Sequence, residues 1–562
     1  IELTNVTLAY DATLAVTNGT LVNEGTIRSL PGGGNGGTRT LAAELDNQAT
    51  LTLDHPLTLD RAGSAHVNSA PIAISTDDLA ITQSAGGSFT NTAAITVASG
   101  RTFTITGGSA DLDQGSVTGA GTLSIAGTAS LAFLTSTVTT PMLVAQTATI
   151  PANVTVPSGQ TWTVLNGTVI DEPIANSGTI LVQGSVTFFG ALTMPSGSLL
   201  RVGALAGNSQ LFLQNGFTNQ GTIELTNVTL AYDARLGIVN GTLINEGEVR
   251  SLPGGGNGGS RFLSAELVND GTLTLDHPLT IDAAFTAHVN NATIDVATDN
   301  LTILQSAEGS FENNGTIAVA SGRTFSVTGG LLDLDQGVVS GAGTLVVGTG
   351  TAFAFTTSTV TTPMQIIAGA TIPNDVTVPV GETLTLLGGT VIDEPIDNAG
   401  TIRTVGSVTF NGPLTTASTA LLRIGALAGN SVLTVASGFT NDGVIELTNV
   451  TLAYDATLAI TSGTLDNQGT LSTLPGGGNG GTRTLAAALA NSGDVNVDAT
   501  TTFASTLVQT NGAILTVAPT RTLNVTGAML LLEGSTTTAN GTLNHGGCSA
   551  MFGANFSGFS CP

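Results

Sequence analysis

The chain contains no lysine, so all 13 of its Lys and Arg positions are arginine. Set against 39 acidic residues, they leave a net charge of −26 and an isoelectric point near 4.1. That balance excludes nucleic acid as a partner, because phosphate-backbone affinity rests on cationic patches that release counterions. Charged residues are only 9% of the chain and hydrophobic ones 41%. Disorder is thereby excluded too, since its mark is low hydrophobicity with high charge. No apolar run is long enough to cross a bilayer, and neither an initiating Met nor a signal-peptide pattern is present. The expectation is a soluble, processed product with no membrane span. Cysteine occurs only at Cys548 and Cys561. A disulfide, which would imply an oxidising compartment, is favoured over two free thiols or a shared metal, and two ligands alone make no zinc site.

What is abundant is repetition. The string IELTNVTLAYDA starts at Ile1, Ile223 and Ile445, two intervals of 222 residues. Within each copy a shorter signature recurs: an apolar residue, any residue, Asn, any residue, Gly, any residue, then Ile, Leu or Val. Its asparagine falls at Asn23, Asn47, Asn91, Asn176 and Asn219, then at Asn245, Asn269, Asn313, Asn398 and Asn441, with Ala49 and Ala93 in place of the glycine after Asn47 and Asn91. The spacings are multiples of about 22 residues. Alternating apolar and polar residues follow each signature, which suits strands with one buried face, and no helical spacing intervenes.

The pattern predicts an all-β fold: an elongated parallel β-helix (β-solenoid) of roughly 25 coils of about 22 residues, two or three short strands to a coil. At about 4.8 Å per coil the stack would be a rod of about 120 Å. The expected divisions are residues 1–222, 223–444, a partial copy 445–547, and a cysteine-bounded cap or tether 548–562. In the partial copy Arg521 aligns with Arg101, 24 residues short of the two-copy interval, so about one coil is missing. Losing a whole coil keeps inward and outward faces in phase.

Several features could carry function. The chain starts in the middle of a coil, so strands near Ile1 would present unpaired backbone, and Phe552, Phe556 and Phe559 gather at the other end; both are candidate assembly ends. PGGGNGG occurs at 31–37, 253–259 and 475–481, each followed by arginine. One reading is a turn that lets the chain change direction. The sharper one is a lateral contact or ligand-reading patch built on Pro31, Asn35 and Arg39, Pro253, Asn257 and Arg261, and Pro475, Asn479 and Arg483. A phosphate cradle is excluded, since a P-loop needs Gly-Lys-Ser/Thr.

Catalysis finds little support. His55 and His66, with copies His277 and His288, lie too far apart to share one site. Asp171 and Glu172 are adjacent, so on a strand they point to opposite faces rather than converging on one glycosidic bond. Asp111 and Asp113, repeated as Asp333 and Asp335, share a face but are too few for Ca²⁺. No catalytic, cofactor or metal residue is assigned. Outward Thr pairs such as Thr102-Thr104 and Thr161-Thr163 suit either an exposed strand or a lattice-matching ice-binding face. Asn5, Asn18, Asn153 and Asn227 head Asn-x-Thr glycosylation triplets.

The coil sequences FTNQGTIEL, IANSGTILV, LVNDGTLTL and FENNGTIAV resemble the right-handed parallel β-helix of bacterial extracellular surface proteins, of the filamentous-haemagglutinin-like and autotransporter-passenger adhesin type. The Cys548 and Cys561 ending resembles the cysteine-bounded tail by which some of those adhesins tether to their secretion pore. The resemblance implies a secreted protein of the extracellular space or cell surface. The function expected first is structural: a non-enzymatic solenoid that stacks head to tail with copies of itself into a fibre or surface filament. Next comes an adhesin for glycan or matrix, and then a polysaccharide-active β-helix enzyme.

Overall fold

The computed structural model describes residues 1–33, 36–204, 206–255, 258–426, 429–449, 452–477 and 480–561. Every regular element among them is a β-strand, so no described helix is long and apolar enough to cross a membrane. The strands form a parallel β-solenoid of about 25 turns with a coil spacing of about 22 residues. By internal contacts the chain divides into Ile1–Ala283 and Ala284–Pro562, and each unit is built in the same way.

In the first unit, Ala12–Asn23 pairs in parallel with Arg39–Asn47, the register shifting between Ala15 and Thr20 where the strand bends. A second column of strands runs through Thr26–Ser29, Thr50–Leu53, Ile72–Ile74 and Ala94–Val97. Burial alternates strictly: from Arg39 to Asn47 every second residue is buried. That period of two follows from the pleat and makes the interior a set of apolar columns. One of them passes through Leu14, Leu41, Leu59, Ile81, Ile105, Ile125 and Val144. Each fully buried side chain of this size contributes about 1.5–3 kcal/mol.

In the second unit the counterpart of the second strand column carries Ile402, Leu422, Ile445, Leu471, Val495 and Leu515. In the counterpart of the column through Leu41, Leu485 stacks on Phe503 and Phe503 directly on Val525. In the first unit Leu41, Leu59, Ile81 and Ile105 fill the corresponding positions, so the counterpart of Ile81 is the layer that the partial copy omits. The stack closes over the gap because the strands on either side have the same register and inward face.

Candidate functional site

The signature asparagines build a ladder inside the coil. In the first unit Asn23 donates to Asn47 (2.7 Å), Asn47 to Asn68 (2.8 Å) and Asn68 to Asn91 (2.8 Å). Asn219 donates to Asn245, and Asn245 to Asn269, both at 2.8 Å. In the second unit Asn290 donates to Asn313 at 2.7 Å. Thr416 donates to Asn441 at 3.0 Å, and Asn441, Asn467 and Asn491 continue at 2.7, 2.7 and 2.8 Å to the Gln509 carbonyl. An amide carries both donor and acceptor, so each residue satisfies the next without a charge. The glycine two residues on has a steric reason: a Cβ on Gly493 would lie 2.0 Å from the Gly469 carbonyl oxygen of the coil beneath. Asn176 and Asn398 bond the carbonyls of Leu199 and Leu421 instead of another amide. Asn68, Asn290 and Gln509 belong to the ladder without the signature, and only their place at the end of an alternating strand marks them in sequence.

The glycine-rich loops are fastened from inside. Arg39, Arg261 and Arg483 are 1%, 0% and 0% exposed, so none offers a cation at the surface. Arg39 donates to the carbonyls of Leu30, Tyr10 and Thr38 at 2.9, 3.2 and 3.1 Å. Arg261 and Arg483 repeat this set. Burial lowers the Arg261 guanidinium to about 10, against the favourable charge of Asp233, and lowers that of Arg483 likewise. The His55 and His277 rings reach the carbonyls of Gly37 and Gly259 at 2.9 and 2.8 Å. Gly37 has a φ of 77°, a left-handed conformation that suits glycine. Asn35, Asn257 and Asn479 lie outside the described residues. Pro31, Pro253 and Pro475 precede the loops; Pro31 is exposed and the carbonyl of Pro475 accepts from Arg483.

The remaining candidates separate rather than converge. His66 is buried, its Nδ1 accepts the Leu45 N–H at 3.2 Å, and burial holds its pKa down to about 4 despite the nearby Glu44. Asp54 pairs with Arg28 while the neighbouring His55 faces the loop. Asp393 accepts from Asn411 and Glu394 from the Ile372 N–H, different partners for the copies of Asp171 and Glu172. Asp113 donates its N–H to Asp111, and desolvation, then the Asp111 charge, raises its carboxyl above the ordinary value. Trp162 is 0% exposed, between Phe133 and Phe188, and cannot be a surface platform. Asn5 and Asn227 are buried with their amide nitrogens bonded to loop carbonyls, whereas Asn18 and Asn153 are exposed.

At the C-terminal coil Cys548 and Cys561 form a disulfide. Phe559 packs on Phe556 and His545, Phe552 is 98% exposed, and Ile1 is 52% exposed. These features define the chain as a repetitive parallel β-solenoid with a disulfide-closed final coil. No family model, curated protein or solved structure matches it.

Proposed function

We propose that the chain is an extracellular structural protein that stacks end to end into a fibre or surface filament, in the manner of filamentous-haemagglutinin-like or autotransporter-passenger solenoids. The observation that carries this reading is the repeated parallel pairing of one coil on the next: Ala234–Asn245 is held on both sides, by Ser209–Asn219 and Arg261–Asn269, and Leu236 between them is fully buried. Such a stack grows by repetition, and an unpaired parallel edge is a template for a further strand. The disulfide supports an oxidising compartment.

Electron microscopy and light scattering across a concentration series test the reading. The chain forms filaments as concentration rises. Monodisperse monomers at high concentration would overturn it. A second reading, a surface adhesin that binds glycan, is favoured by one groove of the first unit.

A further inference from the structure

Outward positions vary from copy to copy at several places, such as Thr90 against Glu312 and Leu181 against Arg403, and one group of the variable positions lines a groove. A groove of about 350 Å³ in the first unit is lined by Asn166, Asn208, Gln210, Asp233, Arg235 and Phe262, with two serines between them. Ser185, Gln210, Arg235 and Phe262 are cross-strand neighbours on four successive coils and form an outward column. One repeat length away, Arg235 corresponds to Thr13 and Thr457, and Phe262 to Thr40 and Thr484. Gln210 corresponds to Val432 and Asn166 to Gly388. Asn208 and Asp233 are retained as Asn430 and Asp455. The middle of the chain has therefore exchanged small outward residues for large, hydrogen-bonding and aromatic ones at one place. The solenoid does not need them to stack, because the other copies stack with threonine in the same register.

The side chains of this groove are held at one end and open at the other. Asn166 accepts the Ser185 N–H at 2.8 Å and Asn208 the Asp233 N–H at 3.0 Å, which turns both amide NH₂ groups away from the backbone. Gln210 donates to Ser185 Oγ at 3.0 Å, leaving its carbonyl as an acceptor. Asp233 uses one oxygen for the Ser260 N–H at 2.7 Å. Among the described residues no further hydrogen bond takes up these free ends. Arg235 lies 4.2 Å over the Phe262 ring and is tied to Asp282 at 2.8 Å and to Ser264, so a planar, weakly hydrated wall stands beside the polar groups.

We propose that this groove is a binding site for a neutral saccharide. Pre-oriented amide donors beside carbonyl and carboxylate acceptors suit hydroxyl groups, each of which donates and accepts. Asp233 and the pairing of Arg235 with Asp282 leave no cation uncompensated, which disfavours uronate, sulfate or phosphate ligands. The volume lies at the small end of the range for small-ligand sites, about 300–1,000 Å³, and fits a ligand of one or two sugar rings. The site is independent of end-to-end stacking, so either proposal can fail alone.

Saturation-transfer NMR and titration calorimetry on the full chain test it. The probes are methyl glycosides of glucose, galactose, mannose and N-acetylglucosamine, with methyl glucuronide as the acidic comparator. At least one neutral glycoside binds in the millimolar range, and Phe262→Thr and Gln210→Val each weaken it at least tenfold. Both substitutions install residues that another copy carries at the same register, so unchanged urea midpoints show that folding is intact. Absence of binding by all four neutral probes, binding that survives both substitutions, or binding of the glucuronide alone overturns the proposal.

Discussion

His66 shows how a single polar side chain couples this interior to pH. Its Nδ1 accepts a backbone N–H within the stack, so protonation would replace that bond by a clash of donors, and burial penalises the cation. Above about pH 6.5 the ring is neutral both folded and unfolded, and its contribution is complete. As pH falls below that value the unfolded chain takes up a proton that the folded chain refuses until its pKa of about 4. Stability is therefore lost on acidification, by roughly 2 kcal/mol between pH 6.5 and 5 from this group. Urea midpoints of the native chain should fall over that interval more steeply than those of His66→Gln, and parallel curves would refute the assignment. At this scale the sequence was least informative. Arg39 and its copies follow glycine-rich loops and invite a surface reading, yet they point inward, because loop carbonyls that cannot pair along a strand need donors from somewhere. Nothing local in a sequence reports which way a guanidinium turns. The asparagines were legible, because an amide repeated at coil spacing has a partner of its own kind directly above it.

The strands and their two-residue alternation could be read directly, since a buried face and an outward face impose that period whatever the neighbours are. Asn68 and Asn290 escaped the signature because His66 and His288 stand at its apolar position and Ala70 and Ala292 at its glycine, although the spacing to the next inward residue, Ile72 and Ile294, is the same as elsewhere. The ladder is thus set by position on the strand, and the turn sequence only accompanies it. The last two strands are the least protected: Thr542–Ala550 pairs with Thr522–Leu531 and Asn555–Ser557 with Thr536–Ala539, and of their residues only Leu543 is buried. The disulfide spans 13 residues, a loop whose closure is worth about 3 kcal/mol in the chain-entropy model. Because coils interact mainly with their neighbours, the Cys548→Ser, Cys561→Ser double variant should lose amide-exchange protection in residues 542–557 alone. Protection at Leu471 and Val495, further down the stack, should be unchanged; its loss there would mean that the disulfide supports more than the last coil.

The molecule as a whole is governed by register more than by any one contact, and the partial copy supplies the natural experiment. Between Leu485 and Val525 one apolar layer is missing, yet Phe503 meets both neighbours in phase. A stack of this kind tolerates loss of a complete layer, because the strands that become adjacent still offer apolar residues to the same interior and unpaired backbone to the same edge. It does not tolerate loss of one residue, which turns every following side chain of that strand inside out. The contrast can be imposed where the chain is complete. Ile81 and Ile105 are direct cross-strand partners, so removing residues 81–104 brings Ile105 onto Leu59 and subtracts one coil. That variant should fold with the strand-type circular dichroism of the parent and a similar melting temperature. Removing Thr104 alone should place Phe103 or Ile105 on the outer face and cost several kcal/mol through exposed apolar area and broken pairing. If the single deletion were the milder of the two, stability would reside in local strand propensity, and the continuous apolar column from Leu14 to Val144 would not be what holds the coils together.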